Sequence, residues 1–321
     1  MHNLKEVFLY KQQSQDVYVG TDVAAASLGA TDLAQVLKGS NMEPDIAVEP
    51  IEIVAGGFDQ YAAVPGKETG KGSFKFAINP VVAGFDIPQW GKVLCGSCDF
   101  TGAQTISASY ANWYFTPVSQ PTYSGMIWHY SGDAASGAAL LSKFYNCKGS
   151  WKLTANANKV AEIEFTLTGA FYGETDATQP TGVGAAKIRD NIYALKNATV
   201  SIMGNAIYKL LTFEAEGGEA IVNREDISAA NGAGQTDNTD RKIKFSLKCY
   251  AVTKAAADAL GQLQAGTEAA ISLTFGPVGK TITIGGTYAQ ITERKKTDEN
   301  GITAFDIKGQ FNRNDFGIRL N

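Results

Sequence analysis

Apolar and polar residues alternate along several short stretches of this chain, and the stretches come in matching pairs. From Glu162 to Tyr172, Ile163, Phe165, Leu167 and Phe171 share one parity, while Glu162, Glu164, Thr166 and Thr168 take the other. Near the C-terminal end Phe305, Ile307 and Phe311 oppose Asp306, Lys308 and Gln310 in the same way. A period of two predicts strands with one buried and one polar face. Gly169 and Gly309 hold the same place in the two patterns, each two residues before a Phe. Upstream, Phe74-Lys75-Phe76-Ala77-Ile78 matches Ile243-Lys244-Phe245-Ser246-Leu247. There Ser73, Lys75 and Ala77, and again Lys242, Lys244, Ser246 and Lys248, fall on the polar parity. Recurrence in the same order predicts one β-rich unit used twice.

Counting sets the copies against each other. Phe76 matches Phe245 at an offset of 169 and Phe165 matches Phe305 at an offset of 140, so the first copy carries about 29 extra residues (169 − 140). They fall between Cys98 and Cys147, where Asn112–Thr116 and Met126–Tyr130 read as strands by their aromatic content. A helix is predicted in each copy: 87–94 after Asp86, with Pro88 in its first turn, and 254–263 after Thr253. In the second, Ala256, Ala259, Leu260 and Leu263 make one apolar face.

The chain thus reads as mainly β with one helix per repeat (α+β), in two tandem β-sandwich or barrel domains. The first spans 1–175, with the aromatic insertion over about 99–146. A linker occupies 176–195 and the second domain 196–321. Each early strand follows a long Gly-rich tract read as a loop. The first runs from Val54 to Gly70 and holds Gly57, Tyr61 and Lys67; the second, 229–240, holds Asn231, Gln235 and Asp237. Loops of that length are uncommon unless they serve a function.

Composition narrows the classes. At 321 residues there is room for about two domains. The chain is 44% apolar, enough for real cores, and its net charge of −4 comes without the basic stripe that wraps nucleic acid. No apolar run reaches membrane-spanning length, and the N-terminus lacks the layout of a signal peptide. Synthesis in the cytoplasm is expected. Cys95, Cys98, Cys147 and Cys249 are too few for a disulfide scaffold, and the Cys95/Cys98 pair lacks two further zinc ligands among just two histidines. No phosphate loop, nucleophile elbow or HExxH motif occurs. No catalytic, cofactor-binding or metal-binding residue is predicted, and no enzyme is expected.

Several pieces resemble the tail tube proteins of long, non-contractile-tailed bacteriophages. They are Tyr114-Phe115-Thr116-Pro117-Val118-Ser119, Asn146-Cys147-Lys148-Gly149-Ser150-Trp151-Lys152-Leu153, the Phe165-Thr166-Leu167-Thr168-Gly169 ending, and Ala220–Ile227 before the second long tract. The likeness covers most of residues 40–321. It implies a virion protein whose rings stack into a hollow tube that conducts phage DNA. A duplicated subunit would form trimers with pseudo-sixfold symmetry, their sheets joined in a ring-shaped β-barrel. On strand numbers borrowed from that family, 24 strands about 4.8 Å apart and tilted by about 40° give a bore of roughly 40 Å. The polar parity would then line the bore through Lys75, Glu162, Glu164, Thr166, Thr168, Lys242, Lys244, Asp306 and Lys308, the lysines pairing with carboxylates across strands. Gly57, Tyr61, Lys67, Asn231, Gln235 and Asp237 would reach the next ring. Implied partners are further copies of the chain, the tape measure protein, tail terminator and distal tail proteins, and DNA in passage, with no membrane.

Three alternatives stay open. The polar parity can be an ordinary solvated face. The aromatic insertion (Trp113, Tyr114, Tyr123, Trp128, Tyr130) could stack on carbohydrate in a receptor-binding tail or baseplate module, and a distal-tail or terminator ring would share the fold.

Overall fold

The structure is a computed structural model that describes residues 6–14, 28, 32–50, 63–79, 87–107, 110–119, 123–132, 138–180, 192–206, 209–229 and 231–321. It is mainly β. The first half carries β1 (Glu6–Ser14), β2 (Asn41–Glu49), β3 (Val64–Ala77), α1 (Gln89–Ser97), β4 (Phe100–Ser107), β5 (Tyr110–Pro117), β6 (Tyr123–Ser131), β7 (Ala138–Asn156) and β8 (Glu162–Thr178). The second carries β9 (Thr199–Ile202), β10 (Leu210–Glu216), β11 (Ala220–Glu225), β12 (Ala233–Asp240), β13 (Lys244–Tyr250) and α2 (Ala259–Ala265). It ends with β14 (Glu268–Phe275), β15 (Ile282–Glu299), β16 (Ile302–Phe311) and β17 (Gly317–Leu320).

One sheet runs through both halves in the order β2-β3-β8-β7-β10-β13-β16-β15-β17-β5-β4. β7 and β10 make the seam, Leu153 facing Ala215 and Lys152 facing Glu216. The strands on either side of that seam follow one plan. In β2-β3-β8-β7 and again in β10-β13-β16-β15, the spatial order takes the strands first, second, fourth and third in chain order. Among the described residues the sheet stays open, with β2 and β4 at its ends, and closes no barrel.

Burial follows the predicted parity. Phe74, Phe76, Ile163, Phe165 and Leu167 from the first half and Phe245, Leu247, Phe305 and Ile307 from the second are buried in one continuous core. α1 lays Trp90, Val93 and Leu94 into it, with Trp90 5.0 Å from the Phe115 ring. β1 is buried on both faces: Phe8 and Tyr10 enter the main core, and Val7 and Leu9 a second, smaller one with Met126, Leu141 and Tyr145. The N-terminal segment therefore adds a strand, paired with β6.

The details depart from the sequence reading in four places. α2 starts at Ala259 rather than 254, because the Asp258 carboxylate accepts the Gly261 N–H at 2.8 Å; 254–256 form a turn on the Thr253 carbonyl. Leu260 is exposed at 44%, so the apolar face is carried by Ala259 and Leu263. Asp86, the expected cap of the first helix, lies outside the described residues, and α1 follows Pro88 with no side-chain cap. The aromatic insertion is not confined to the first copy: β4–β5 crosses to the second half, where Phe115 pairs with Ile318 of β17.

The offsets found by counting do not survive pairing. Phe76 faces Ile163, but Phe245 faces Gly309, not the Thr303 that the two offsets require. The slip is six residues (309 − 303), an even number, so each side chain keeps its face.

Candidate functional site

The polar face is one surface, not two. Cross-strand pairing runs Lys75–Glu164–Lys152–Glu216–Lys244–Gln310–Gln290 from β3 to β15 without a break. The next row reads Glu162–Thr154–Glu214–Ser246–Lys308–Glu293, and a third Asn156–Thr212–Lys248–Asp306–Lys295. Thr166 stands between Ser73 and Ser150. Of the predicted lining residues, Lys75, Glu162, Glu164, Thr166, Lys244, Asp306 and Lys308 are brought together here.

Two others are placed differently. Thr168 shares the face, but its hydroxyl accepts a 3.4 Å bond from Asn223 of the β11–β12 hairpin. Lys242 precedes β13, where the chain turns, and pairs with Asp240 at 3.5 Å.

Across the seven strands from β3 to β15 charge on this face is balanced: Lys71, Lys75, Lys152, Lys244, Lys248, Lys295 and Lys308 meet Glu162, Glu164, Glu214, Glu216, Glu293, Glu299 and Asp306. β2 extends the face, with Glu43 opposite Lys71 and Asp45 bonded to Lys71. Neighbours of opposite sign are in contact: Lys75–Glu164 at 3.5 Å, Lys152–Glu214 at 3.0 Å, Lys308–Glu293 at 3.3 Å, and Lys248 with Glu299. Lys248 thus chooses Glu299 over Asp306 directly opposite. Exposed pairs of this kind hold little energy, but alternation fixes the sign of the surface near neutral.

The described parts of the predicted loops are folded. The tract around 229–240 is a hairpin, β11 against β12, with Thr236 buried and bonded to Asn223 Oδ1 at 2.8 Å. Gln235 and Asp237 lie on β12, and Asn231 in the turn is buried. Asn231 donates to the Phe171 carbonyl at 3.0 Å, and its own carbonyl accepts the Glu68 N–H at 2.9 Å. Lys67 sits in β3, reaching the Asn223 carbonyl at 2.9 Å. The polar composition of 233–240 hid this strand, since Asn, Asp and Gly are poor strand formers. Gly57 and Tyr61 lie outside the described residues.

At the two ends of its eight central strands the sheet has unpaired edges, among the described residues. β2 pairs with β3 alone, and the 291–299 stretch of β15 pairs with β16 alone. The β2 edge carries Glu43, Asp45 and Glu49 and no cation. The β15 edge carries Arg294, Lys295 and Lys296 in a row, flanked by Glu293, Asp298 and Glu299. Glu293 is bonded to Lys308 and Lys295, Glu299 to Lys248, and Asp298 to the Gly301 N–H, while on the β2 edge Asp45 is bonded to Lys71.

The sequence profile of the family described as phage tail tube protein matches residues 7–308. The chain belongs to the phage tail tube protein family. A search of curated proteins returns no match. Membership makes this tail tube protein a structural component of the virion. The remaining chemistry is quiet: all four cysteines are free and buried, and burial pushes the Cys95 and Cys249 thiols up to about 12, where they stay protonated. No described helix is long and apolar enough to cross a membrane.

The aromatic insertion does not present one platform. Tyr130 is buried, Trp113 stacks on Phe115 at 6.1 Å, and Lys143 lies over Trp128. Tyr114 and Tyr123 are exposed, on the separate strands β5 and β6.

Proposed function

We propose that this chain is the major tail tube subunit, a structural and non-catalytic protein that closes as a trimer and stacks into the tube conducting phage DNA. The observation that carries the reading is the unbroken polar face shared by both halves. On this reading β2-β3-β8-β7 and β10-β13-β16-β15 are duplicate units. Their like order supports duplication, and the even slip in register leaves it compatible with a common ancestor.

Three chains of eight strands give the 24 strands of a ring. All neighbours from β2 to β15 are antiparallel. With an even number of strands, β2 of the next copy meets β15 antiparallel too, continuing the pattern set at the β7–β10 seam. The contact is head-to-tail, which closes into a ring when the rotation allows. Acidic β2 against the basic middle of β15 favours that contact over β2–β2 or β15–β15.

A bore lined by alternating charge suits DNA in transit. A phosphate-neutralising surface would hold the duplex, and the balanced rows offer no net attraction. Ends of the tube would meet the terminator and distal tail proteins, and the tape measure protein would occupy the bore before DNA.

Negative-stain microscopy of the purified protein tests the reading. Hollow tubes with threefold rings are expected. A protein that remains monomeric at every concentration and salt tested would sink it.

A further inference from the structure

The β11–β12 hairpin belongs to the second half by sequence and to the first half by contact. Its turn is tied to Glu68 and Phe171, and its base covers a closely held group of charges. Lys148 and Asp99 form an ion pair with side chains 0% and 3% exposed, and Asn238 donates to the second oxygen of Asp99 at 2.7 Å. Arg241 donates to the carbonyls of Cys98 and Asp99, each at 3.1 Å, and of Val118 at 3.3 Å. Glu219, at the start of the hairpin, has a side chain with 0% exposure. Its nearest cation is Arg241 Nε at 3.7 Å, and neither carboxylate oxygen has a hydrogen bond of ordinary geometry, although its own backbone N–H and the Trp151 indole lie close. An ionised carboxylate left this way is costly, and a neutral acid much less so.

We propose that Glu219 is a proton switch for this hairpin: protonated, it lets β11–β12 lie closed on the first half, and ionised, it loosens that hold. Every group facing it bears on the sign. Desolvation dominates and pushes the carboxyl from 4.5 up to about 7. Its own backbone N–H, then Arg241 and the Trp151 indole of β7, pull it down, and Asp99 in the turn after α1 pushes it up. Lys148 is committed to Asp99, and the buried Cys98 thiol stays protonated. A released hairpin returns Glu219 to water and its ordinary value, so the closed state binds the proton more tightly. The gain from closing is therefore full below about 4.5, fades as pH rises, and is gone above about 7. A difference of that size shifts the closed-to-open ratio on the order of 100-fold.

The switch goes beyond the tube reading and is tested apart from it. On that reading, the freed hairpin is the segment able to leave its own chain for the next ring. The experiment is hydrogen exchange of the full chain between about pH 5 and pH 8, with rates corrected for intrinsic chemistry. Peptides covering β11–β12 should lose protection on the order of 100-fold over that range, while β3 and β8 peptides hold theirs. Glu219→Gln, neutral throughout, should keep the hairpin at its closed level at both ends. Hairpin protection indifferent to pH, equal pH dependence in Glu219→Gln, or loss in step with β3 and β8 would each overturn the proposal. Should the variant fail to fold, carbon-13 titration of the Glu219 carboxyl in the natural sequence decides: a midpoint above about 6 supports the switch and one near 4.5 defeats it.

Discussion

Gly309 lies directly opposite Phe245 in the β13–β16 ladder, and the Phe245 ring fills the space that a β-carbon at 309 would need. The Gln290 carbonyl oxygen of β15 closes the same space from the other side. Neither neighbour can give way cheaply, because one is backbone and the other a buried ring. Gly309→Ala should therefore destabilise the subunit by about 1–3 kcal/mol. Thermal unfolding of the purified protein, compared with Gln310→Ala on the exposed parity as a control, measures it. An unchanged midpoint would mean that the ladder relaxes around the methyl group.

That glycine shows what could be read in advance. Its place in the pattern was visible from the repeat with Gly169, and so was the parity of Phe305 and Asp306, since burial obeys a period of two. What lay opposite was invisible. Alternation looks the same after any even slip, so counting placed Phe245 six residues away from its actual partner. The hairpin at 233–240 was hidden for another reason: it is held by polar side chains such as Thr236 and Asn231, which in sequence resemble a solvated loop. Lys148 was unreadable too. It shares the polar parity of Lys152, and its burial comes from Asp99 and the hairpin base, remote in sequence.

Lys148 yields a second prediction. Removing one partner of a buried pair leaves the other charge enclosed. In Lys148→Ala, Asp99 keeps Asn238 and has Arg241 at 3.7 Å, so the loss should fall at the low end, about 3 kcal/mol. Lys152→Ala, whose partner Glu214 is 39% exposed, should cost less than about 1 kcal/mol. Urea unfolding of the two variants side by side checks the contrast. Equal costs would show that burial of Lys148 carries no special weight.

Ring closure by complementary edges can be tested by charge reversal. Glu43→Lys with Asp45→Lys turns the β2 edge basic and sets it against Arg294, Lys295 and Lys296. Association of that variant should be suppressed at low salt and partly recovered at high salt, where such charges are screened. Adding Lys295→Glu and Lys296→Glu should restore assembly. Sedimentation velocity reads all three states. Assembly of the first variant like the natural chain would remove β2 and β15 from the contact.

The balance of charge along the polar face leads to the last prediction, which concerns DNA. Replacing Glu162, Glu164 and Glu214 with Lys keeps each position on the exposed parity, so the fold should hold. Across β3 to β15 the seven carboxylates of this face fall to four while its seven lysines rise to ten. On the proposed reading, a threefold ring would repeat that surplus three times at one level of the bore, and stacked rings would carry it along the tube. Each phosphate neutralised releases counterions and adds affinity. Ejection from phage assembled with this variant should slow steeply at low salt and recover as salt rises, whereas the natural tube should show little salt dependence. Following DNA release by dye binding across a salt series measures both slopes. Equal slopes would mean that the passing duplex does not sense this face, and the bore would have to be lined by some other surface of the chain.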